Sequence, residues 1–267
     1  MSCRNIIVAL CALVSLSRAE ERHVWTSPMG YADVTTWQPT TTLTNSVLWL
    51  SMSVDPTRPA TWTVPSGTDG NNGVQGTANS RPVWSSGTLS FDGVDDHFTN
   101  GTQSTFAFVH NTAVFTVSAW CKFSATNKLG ASICGNAPNT TDKGFFLIQY
   151  DDDFYFQSFY ATAGQQNLCL ATSVIQSTND WYFVCVVGTG TSITLYWNAV
   201  AKATDSSITT ASGNATYPLL VGVLPGASLV WFHGGKIDDL RISNRALTAG
   251  EVTNLYNSTI SPTPARP

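Results

Sequence analysis

The stretch Leu89–Phe98 reads LSFDGVDDHF and joins an alternating strand pattern to the residues of a tight turn. In an extended chain Leu89 and Phe91 lie on one face, and the polar residue between them lies on the other. The pair Asp92–Gly93 favours a turn, because an aspartate side chain accepts hydrogen bonds from nearby backbone N–H groups. Phe98 resumes the apolar face. The stretch therefore predicts two strands joined by a turn.

The same pattern recurs along the chain, as short apolar–polar alternations separated by glycine, asparagine and aspartate. The sequence is rich in threonine, valine and aromatic residues, which favour strands over helices. These features predict an all-β, antiparallel sandwich. One short C-terminal helix is expected within LTAGEVTNLYN, because Thr248 and Glu251 have the spacing of a capping box. Leu247 and Val252 have the spacing of a hydrophobic staple.

Both ends of the chain differ in composition from its centre. Residues 1–19 combine Arg4, the apolar run IIVALCALVSL and small residues before Glu20, which predicts a secretory signal peptide. A retained, buried N-terminal element is the alternative. We expect a leader over 20–45, one domain over 46–257 and a proline-rich tail over 258–267. This organisation predicts a secreted or surface-exposed protein, on the virion surface if the chain is viral.

Charge and hydropathy exclude two classes of partner. The net charge is −4 and no basic stripe is present, so nucleic acid is not an expected partner. The apolar run near the N-terminus has about 11 residues, whereas a membrane-spanning helix needs about 20. We therefore expect no membrane span.

Five segments in order resemble the laminin-G-like branch of the concanavalin A-like lectin/glucanase superfamily. They are LSFDGVDDHF, FTVSAWCKF, DWYFVCVV, ITLYWNAV and GGKIDDLRISNRALTAGEVTNLY. The resemblance covers residues 46–257 and implies a jelly-roll sandwich of two antiparallel sheets. The turn Asn198–Ala199 stands where the family commonly has Asn-Gly. A type I′ turn needs positive φ at both positions, so another turn type is expected there.

The resemblance implies a binding module for carbohydrate, or for an extracellular or surface protein, rather than an enzyme. Glucanases of this fold use paired glutamates, and retaining chemistry needs two carboxyl groups about 5 Å apart. The chain has only Glu20, Glu21 and Glu251, without such a motif. A structural surface or virion protein, such as a phage fibre or capsid decoration assembling as a homo-oligomer, is the alternative.

Sugar sites combine an aromatic ring with side chains that hydrogen-bond hydroxyl groups. The candidate ligand-binding residues are Trp231, His233, Trp197, Tyr155 and Asp152. For each aromatic residue the alternative is a place in the core of the sandwich. The run Asp151–Asp153 is most simply the tip of a hairpin.

The aspartates of the opening stretch have two interpretations. Ca²⁺ takes six to eight oxygen ligands, several of them carboxylates. Many members of the superfamily hold calcium in such loops, so Asp92, Asp95 and Asp96 together with Asp238 are candidate ligands of a structural Ca²⁺. Strict alternation in KIDDLRIS points Asp238 inward, whereas Asp239 and Arg241 share the other face and can pair. The alternative, which we favour, is that turn and backbone hydrogen bonds account for these residues.

Sequons and cysteines give two further expectations for an exported chain. The glycosylation candidates are Asn100, Asn139, Asn214 and Asn257. The alternation around Cys121 and Cys185 is typical of core thiols. Cys134 and Cys169 lie in less regular segments and are the expected disulfide pair. Four cysteines nevertheless allow three pairings, and the sequence alone does not choose among them.

Overall fold

Antiparallel pairing organises the part of the chain that the computed structural model describes. The described residues are 46–50, 63–64, 73–75, 81–85, 88–138, 143–160 and 166–258. The predicted signal peptide (1–19), the leader (20–45) and residues 259–267 of the tail lie outside them. All described residues belong to one compact unit, Pro39–Pro267.

Two sheets, each with eight strands in the described residues, form the framework. Sheet A contains β1 (Ser46–Leu50), β4 (Val83–Ser85), β5 (Thr88–Asp92), β7 (Val114–Phe123), β12 (Tyr182–Thr189), β13 (Ile193–Trp197), β14 (Val200–Asp205) and β16 (Gly234–Ser243). Sheet B contains β2 (Thr63–Val64), β3 (Gly73–Gln75), β6 (Phe98–Asn100), β8 (Lys128–Gly135), β9 (Gly144–Asp151), β10 (Asp153–Phe159), β11 (Gln166–Ala171) and β15 (Leu219–Val221).

The strand order in both sheets shows extensive crossing of the chain between them. Sheet A has the order β14-β13-β12-β7-β16-β5-β4, with β1 also paired to β16. Sheet B has the order β11-β10-β9-β8-β15-β6-β3-β2. Every described strand pair is antiparallel. The predicted all-β sandwich of two antiparallel sheets is confirmed.

The main core lies between the sheets and follows from strand alternation. On β7 the core residues are Phe115, Val117, Ala119, Cys121 and Phe123, which occupy every second position. On sheet B, β9 contributes Phe145 and Leu147, and β10 contributes Phe154 and Phe156. The intervening residues of these strands point to the outer faces of the sheets.

The predicted C-terminal helix is present as α2 (Ala249–Ser258) and covers part of the outer face of sheet A. Its capping box is confirmed. The Thr248 N–H donates to Glu251 Oε2 at 2.8 Å, and the Glu251 N–H donates to Thr248 Oγ1 at 3.2 Å. Tyr256 stacks on Trp120 with a centroid distance of 5.5 Å. Leu247 and Val252 join the same apolar cluster, as the staple predicts.

A second helix was not predicted. Helix α1 (Phe108–Asn111) has four residues, which is too short to produce a recognisable helical period in the sequence. Neither described helix is long and apolar enough to cross a membrane.

The turn between β13 and β14 corrects an expectation. Asn198 and Ala199 have φ values of 50° and 63°, and Trp197 pairs directly with Val200. These values match a type I′ turn in spite of the alanine. The Asn198 side chain holds the turn by accepting the Phe183 N–H at 2.8 Å.

We expect Ala199→Gly to stabilise the protein. A non-glycine residue in the left-handed region costs about 1–2 kcal/mol, and glycine adds about 0.5–1 kcal/mol of unfolded-state entropy. The expected gain in the free energy of unfolding is therefore about 0.5–1 kcal/mol, measured by urea denaturation. As a matched control, Ala203→Gly lies within β14 and should destabilise. A loss of stability in Ala199→Gly would contradict the assigned strain.

Candidate ligand-binding site

An open cleft lies on the outer face of sheet B. It has a volume of about 190 Å³, less than the roughly 300–1,000 Å³ of pockets that enclose a drug-sized molecule. Its size suits a surface platform for one or two rings rather than an enclosing cavity. The residues that line it are Phe146, Ile148, Tyr150, Tyr155, Gln157 and Trp231.

Strand alternation and pairing bring the lining residues of β9 and β10 together. Residues directly opposite each other in an antiparallel pair share one face of the sheet. Tyr155 lies opposite Ile148, and Gln157 lies opposite Phe146. Tyr150 ends the row on β9, next to the hairpin turn. The cleft is therefore built on two paired strands.

Trp231 reaches the cleft from the segment between β15 and β16. Its φ is 57°, an uncommon value for a bulky residue, and its carbonyl accepts the Ser132 N–H at 2.8 Å. Its ring lies against Gly130, where a Cβ atom would stand 2.4 Å from the indole. Gly130 itself has a φ of +90°. The glycine thus makes room for the ring and meets a backbone requirement.

Three of the four aromatic rings that line the cleft, those of Tyr150, Tyr155 and Trp231, meet at their edges. Tyr150 contacts Tyr155 with a centroid distance of 6.2 Å and an interplanar angle of 79°. Tyr150 contacts Trp231 at 6.3 Å and 69°. Tyr150 remains 41% exposed, and Tyr155 and Trp231 are partly buried. Edge contacts leave ring faces available for stacking with a ligand.

Polar groups flank the apolar surface at both ends. Gln157 offers an amide, which can donate and accept hydrogen bonds. At the other end the Tyr155 hydroxyl donates to Asp153 Oδ2 at 3.5 Å. Partial burial, and then the negative charge of Asp153, raise the pKa of the Tyr155 phenol. The phenol therefore remains a hydrogen-bond donor at neutral pH.

Two of the predicted ligand residues, Tyr155 and Trp231, meet in this cleft. The predicted hairpin is also present: Asp151 and Asp152 form the turn, since Tyr150 pairs with Asp153. Asp152 does not line the cleft, and its carbonyl accepts the backbone N–H groups of Val174 and Ile175 at 3.0 Å.

Three residues at or beside the cleft were not predicted as site residues: Tyr150, Gln157 and Asp153. The predicted hairpin tip at Asp151–Asp153 was the signal that could have found them, once its turn is limited to Asp151 and Asp152. It places residues 150 and 153 opposite each other, and alternation along β10 then adds residues 155 and 157 to that face.

Trp197 is not a ligand residue. It is 5% exposed and belongs to the core between the sheets. Its ring lies 4.9 Å from that of Tyr182, 5.3 Å from that of Phe154 and 6.4 Å from that of Phe123. The cause is strand alternation, which points Ile193, Leu195 and Trp197 of β13 inward.

His233 is not a ligand residue either. It has no exposed surface, and its ring packs edge-on against Phe91 and Phe123 at 5.7 Å each. Burial among these rings lowers the pKa of His233 to about 4. The imidazole is therefore neutral at physiological pH and lies away from the protein surface.

The carboxylates of Asp92, Asp95 and Asp96 lie within 4.8 Å of one another, close enough to share one ion. Backbone groups already use oxygens of Asp92 and Asp96. Asp92 Oδ1 accepts the N–H of Val94 at 2.8 Å and that of Asp95 at 3.2 Å, and Asp96 Oδ2 accepts the Asp92 N–H at 2.8 Å. Burial opposes ionisation of Asp92, but the backbone hydrogen bonds outweigh it and lower its pKa. These are the bonds of the predicted turn.

A lysine also lies beside this turn. Lys128 Nζ donates to the carbonyls of Phe232 at 2.6 Å and Gly93 at 3.4 Å. Burial lowers the pKa of Lys128, while attraction to Asp92 acts in the opposite direction. The ammonium group thus supplies a positive charge next to the acidic cluster.

Asp238 does not belong to the acidic cluster. Asp92 pairs with Gly234, and Asp238 lies four residues farther along β16, or about 13 Å away. Its carboxylate accepts the Asp239 N–H at 2.7 Å. The expected inward orientation is also wrong, because a bulge between Asp238 and Arg241 places Ile237 and Leu240 in the core instead.

The predicted disulfide between Cys134 and Cys169 is wrong. Cys134 pairs with Leu147, Leu147 with Phe156, and Phe156 with Cys169, so three strand spacings separate the two cysteines. At about 4.8 Å for each spacing, the separation is about 14 Å, whereas a disulfide needs Cα atoms within about 7 Å. All four described cysteines are free and buried. Burial raises the pKa of the Cys134 thiol to about 12.

The glycosylation candidates differ in their exposure to solvent. Asn100 lies on β6 with no exposed surface, so the folded chain does not present it as an acceptor, contrary to the prediction. Asn214 and Asn257 are exposed and stay candidates. Asn139 lies outside the described residues.

Solved structures with the same fold include domains from three proteins. Domain 4 of AbnA, an extracellular arabinanase from Geobacillus stearothermophilus in complex with arabinotriose, superposes with a TM-score of 0.61 and 16% identity. That alignment covers 79% of this chain and 98% of the domain. The binding domain of Paraclostridial Mosquitocidal Protein 1 has a TM-score of 0.59 and 17% identity, covering 80% of this chain and 52% of that one.

The botulinum neurotoxin serotype D binding domain has a TM-score of 0.59 and 15% identity, covering 81% of this chain and 51% of the toxin domain. The chain therefore spans about half the length of the two toxin domains. A comparison with curated protein sequences found no match. A laminin G family described as concanavalin A-like lectin/glucanases matches residues 92–253. With its two-sheet sandwich and this match over more than half of its length, the chain belongs to the concanavalin A-like lectin/glucanases superfamily.

Proposed function

We propose that the protein is a non-catalytic carbohydrate-binding module and that the cleft on sheet B is its site. The observation that carries the proposal is the meeting of Tyr150, Tyr155 and Trp231 on an open sheet face beside the amide of Gln157. Aromatic faces pack against the apolar face of a sugar ring, and an amide satisfies its hydroxyl groups. In this assignment Trp231 is the main stacking platform.

The comparisons support this class of function. AbnA domain 4 is known in complex with arabinotriose, and the two toxin domains are binding domains by name. A shared fold does not by itself transfer a ligand, so the proposal rests on the cleft.

The lining of the cleft supports a role without catalysis. Retaining hydrolysis needs two carboxyl groups about 5 Å apart across the scissile bond. No residue that lines the cleft carries a carboxyl group. Glu251, the glutamate within the described ranges, caps α2 at a site on sheet A. An extracellular setting, proposed from residues 1–19, agrees with binding of an external glycan.

The test is glycan binding by the full chain and by cleft variants. We expect a glycan array to identify ligands, and Trp231→Ala to weaken binding of the best one at least tenfold in calorimetry. Tyr155→Phe keeps the ring and removes the hydroxyl, so a smaller, several-fold loss is expected. Tyr196→Ala is the matched control, because Tyr196 packs against the outer face of sheet A.

Equal binding by Trp231→Ala and the unmodified protein would place the site elsewhere. Absence of glycan binding, together with self-association in light scattering, would favour the alternative of a surface or virion component that assembles through subunit contacts.

A calcium site at Asp92, Asp95 and Asp96 has a separate test. Ca²⁺ needs six to eight oxygens, whereas here backbone N–H groups already occupy oxygens of Asp92 and Asp96, and the Lys128 ammonium supplies a positive charge beside them. These residues fit a turn better than an ion site. We expect the melting temperature in 1 mM CaCl₂ and in 5 mM EDTA to agree within about 1 °C. A higher melting temperature in calcium that is absent from Asp95→Asn would establish the site.

A further inference from the structure

We infer that the cleft selects uncharged glycans and discriminates against acidic ones such as sialylated, uronic or sulfated sugars. This inference rests on the proposed function and specifies its ligand class. It follows from the distribution of charge around the lining residues.

Carboxylates are concentrated at one end of the cleft. The turn that follows Tyr150 contains Asp151 and Asp152, and Asp153 lies opposite Tyr150 on the same face of the sheet. The Asp153 carboxylate is fixed there, since Oδ1 accepts the Ser173 N–H at 2.8 Å and Oδ2 accepts the Tyr155 hydroxyl. An acidic sugar stacked on Tyr150 would therefore lie beside the Asp153 carboxylate, with Asp151 and Asp152 in the adjoining turn.

The lysines beside the two ends of β9 donate to backbone carbonyls. Lys128 lies opposite Asp151 in the pairing of β8 with β9, but its Nζ donates to the carbonyls of Phe232 and Gly93. Lys143 precedes the other end of β9 and donates to the Ser212 carbonyl. No residue lining the cleft is a lysine or an arginine.

The balance of charge therefore disfavours an anionic ligand. Proteins recognise carboxylates and sulfates with arginine, lysine or converging N–H groups, whereas the donors that line the cleft are all uncharged: the Gln157 amide, the Trp231 indole and the tyrosine hydroxyls. Repulsion between unit charges a few ångströms apart at a protein surface changes an equilibrium constant by about tenfold. A neutral sugar meets no such repulsion, and its hydroxyl groups can donate hydrogen bonds to the carboxylates.

The experiment compares matched ligands on the full chain. The best neutral glycan from the array and the same core carrying a sialic acid or a uronic acid are titrated at 50 and 500 mM NaCl. We expect the acidic form to bind at least tenfold more weakly at low salt, and the difference to shrink at high salt because salt screens the repulsion. Asp151→Asn removes one negative charge and should reduce the difference about threefold. Asparagine tolerates the φ of 58° at this position, so the turn should keep its conformation.

The outcomes separate this inference from the proposed function. Trp231-dependent binding of acidic glycans that equals or exceeds binding of the neutral forms would overturn the inference and leave the cleft as the site. Absence of Trp231-dependent binding to either form would overturn both. A difference between the ligands that neither salt nor Asp151→Asn alters would also overturn the electrostatic cause.

Discussion

Replacing Arg241 with methionine is expected to lower the free energy of unfolding by about 3–5 kcal/mol. Arg241 is 2% exposed, and its Nε donates to both carboxylate oxygens of Asp239, at 2.9 and 3.1 Å. Methionine fills much of the same volume but leaves the Asp239 carboxylate buried without the guanidinium. Burial of a charge without its partner is far more costly than loss of an exposed ion pair. Urea denaturation at pH 7.5 measures the difference.

Two further variants identify the cause of that loss. Asp239→Asn removes the negative charge and suits the φ of 48° at this position, so the double variant with Arg241→Met should recover at least half of the stability. Arg245→Met breaks the more exposed pair with Glu251, whose N–O distance is 2.8 Å, and should cost less than about 1 kcal/mol. Equal losses in Arg241→Met and Arg245→Met would contradict the importance of burial.

Features that depend on local sequence were predictable. The alternation in Leu89–Phe98 and in β7 produced the strands that it predicts, because one face of each strand has to be buried. The capping box at Thr248 and Glu251 was predictable because its partners are three residues apart, so it forms without contacts from distant parts of the chain.

The bulge in β16 was not predictable from local alternation. Strict alternation places Asp238 on the face of Leu240 and Ile242, and on that basis it was predicted to point inward. The left-handed conformation of Asp239 inserts an extra residue, so the inward face changes between Ile237 and Leu240. Sheet pairing and the ion pair with Arg241 fix this bulge, and neither is visible in the spacing of apolar residues. The predicted pairing of Asp239 with Arg241 is confirmed.

The candidate site was predictable only in part. Trp197 and Trp231 look equally suitable in the sequence, because both lie in apolar segments that are rich in aromatic residues. Their roles differ because Trp197 points between the sheets, whereas Trp231 lies over Gly130 on the outer face of sheet B. Which face of a strand receives a second layer depends on the packing of the whole domain. Sequence alternation alone does not contain that information.

Acidification from pH 7.5 to pH 5 is expected to destabilise the protein by about 2 kcal/mol through His233. Its pKa is about 4 in the folded protein, against about 6.5 in an unfolded chain. Between these values the unfolded state binds the proton and the folded state does not, so stability falls as the pH falls. The stability that neutral His233 contributes is fully present above pH 6.5. About 3 kcal/mol of it is lost near pH 4, at 1.36 kcal/mol for each pKa unit.

His233→Leu places an apolar side chain between Phe91 and Phe123 and removes the titrating group. Unfolding in urea is measured at several pH values from 5 to 7.5, and this variant should lose most of the pH dependence. Burial also lowers the pKa of His110, which contributes with the same sign, so His110→Gln measures its share separately. The chosen range lies above the region in which most carboxylates titrate. A slope that His233→Leu leaves unchanged would show that His233 is not the group that couples protonation to unfolding.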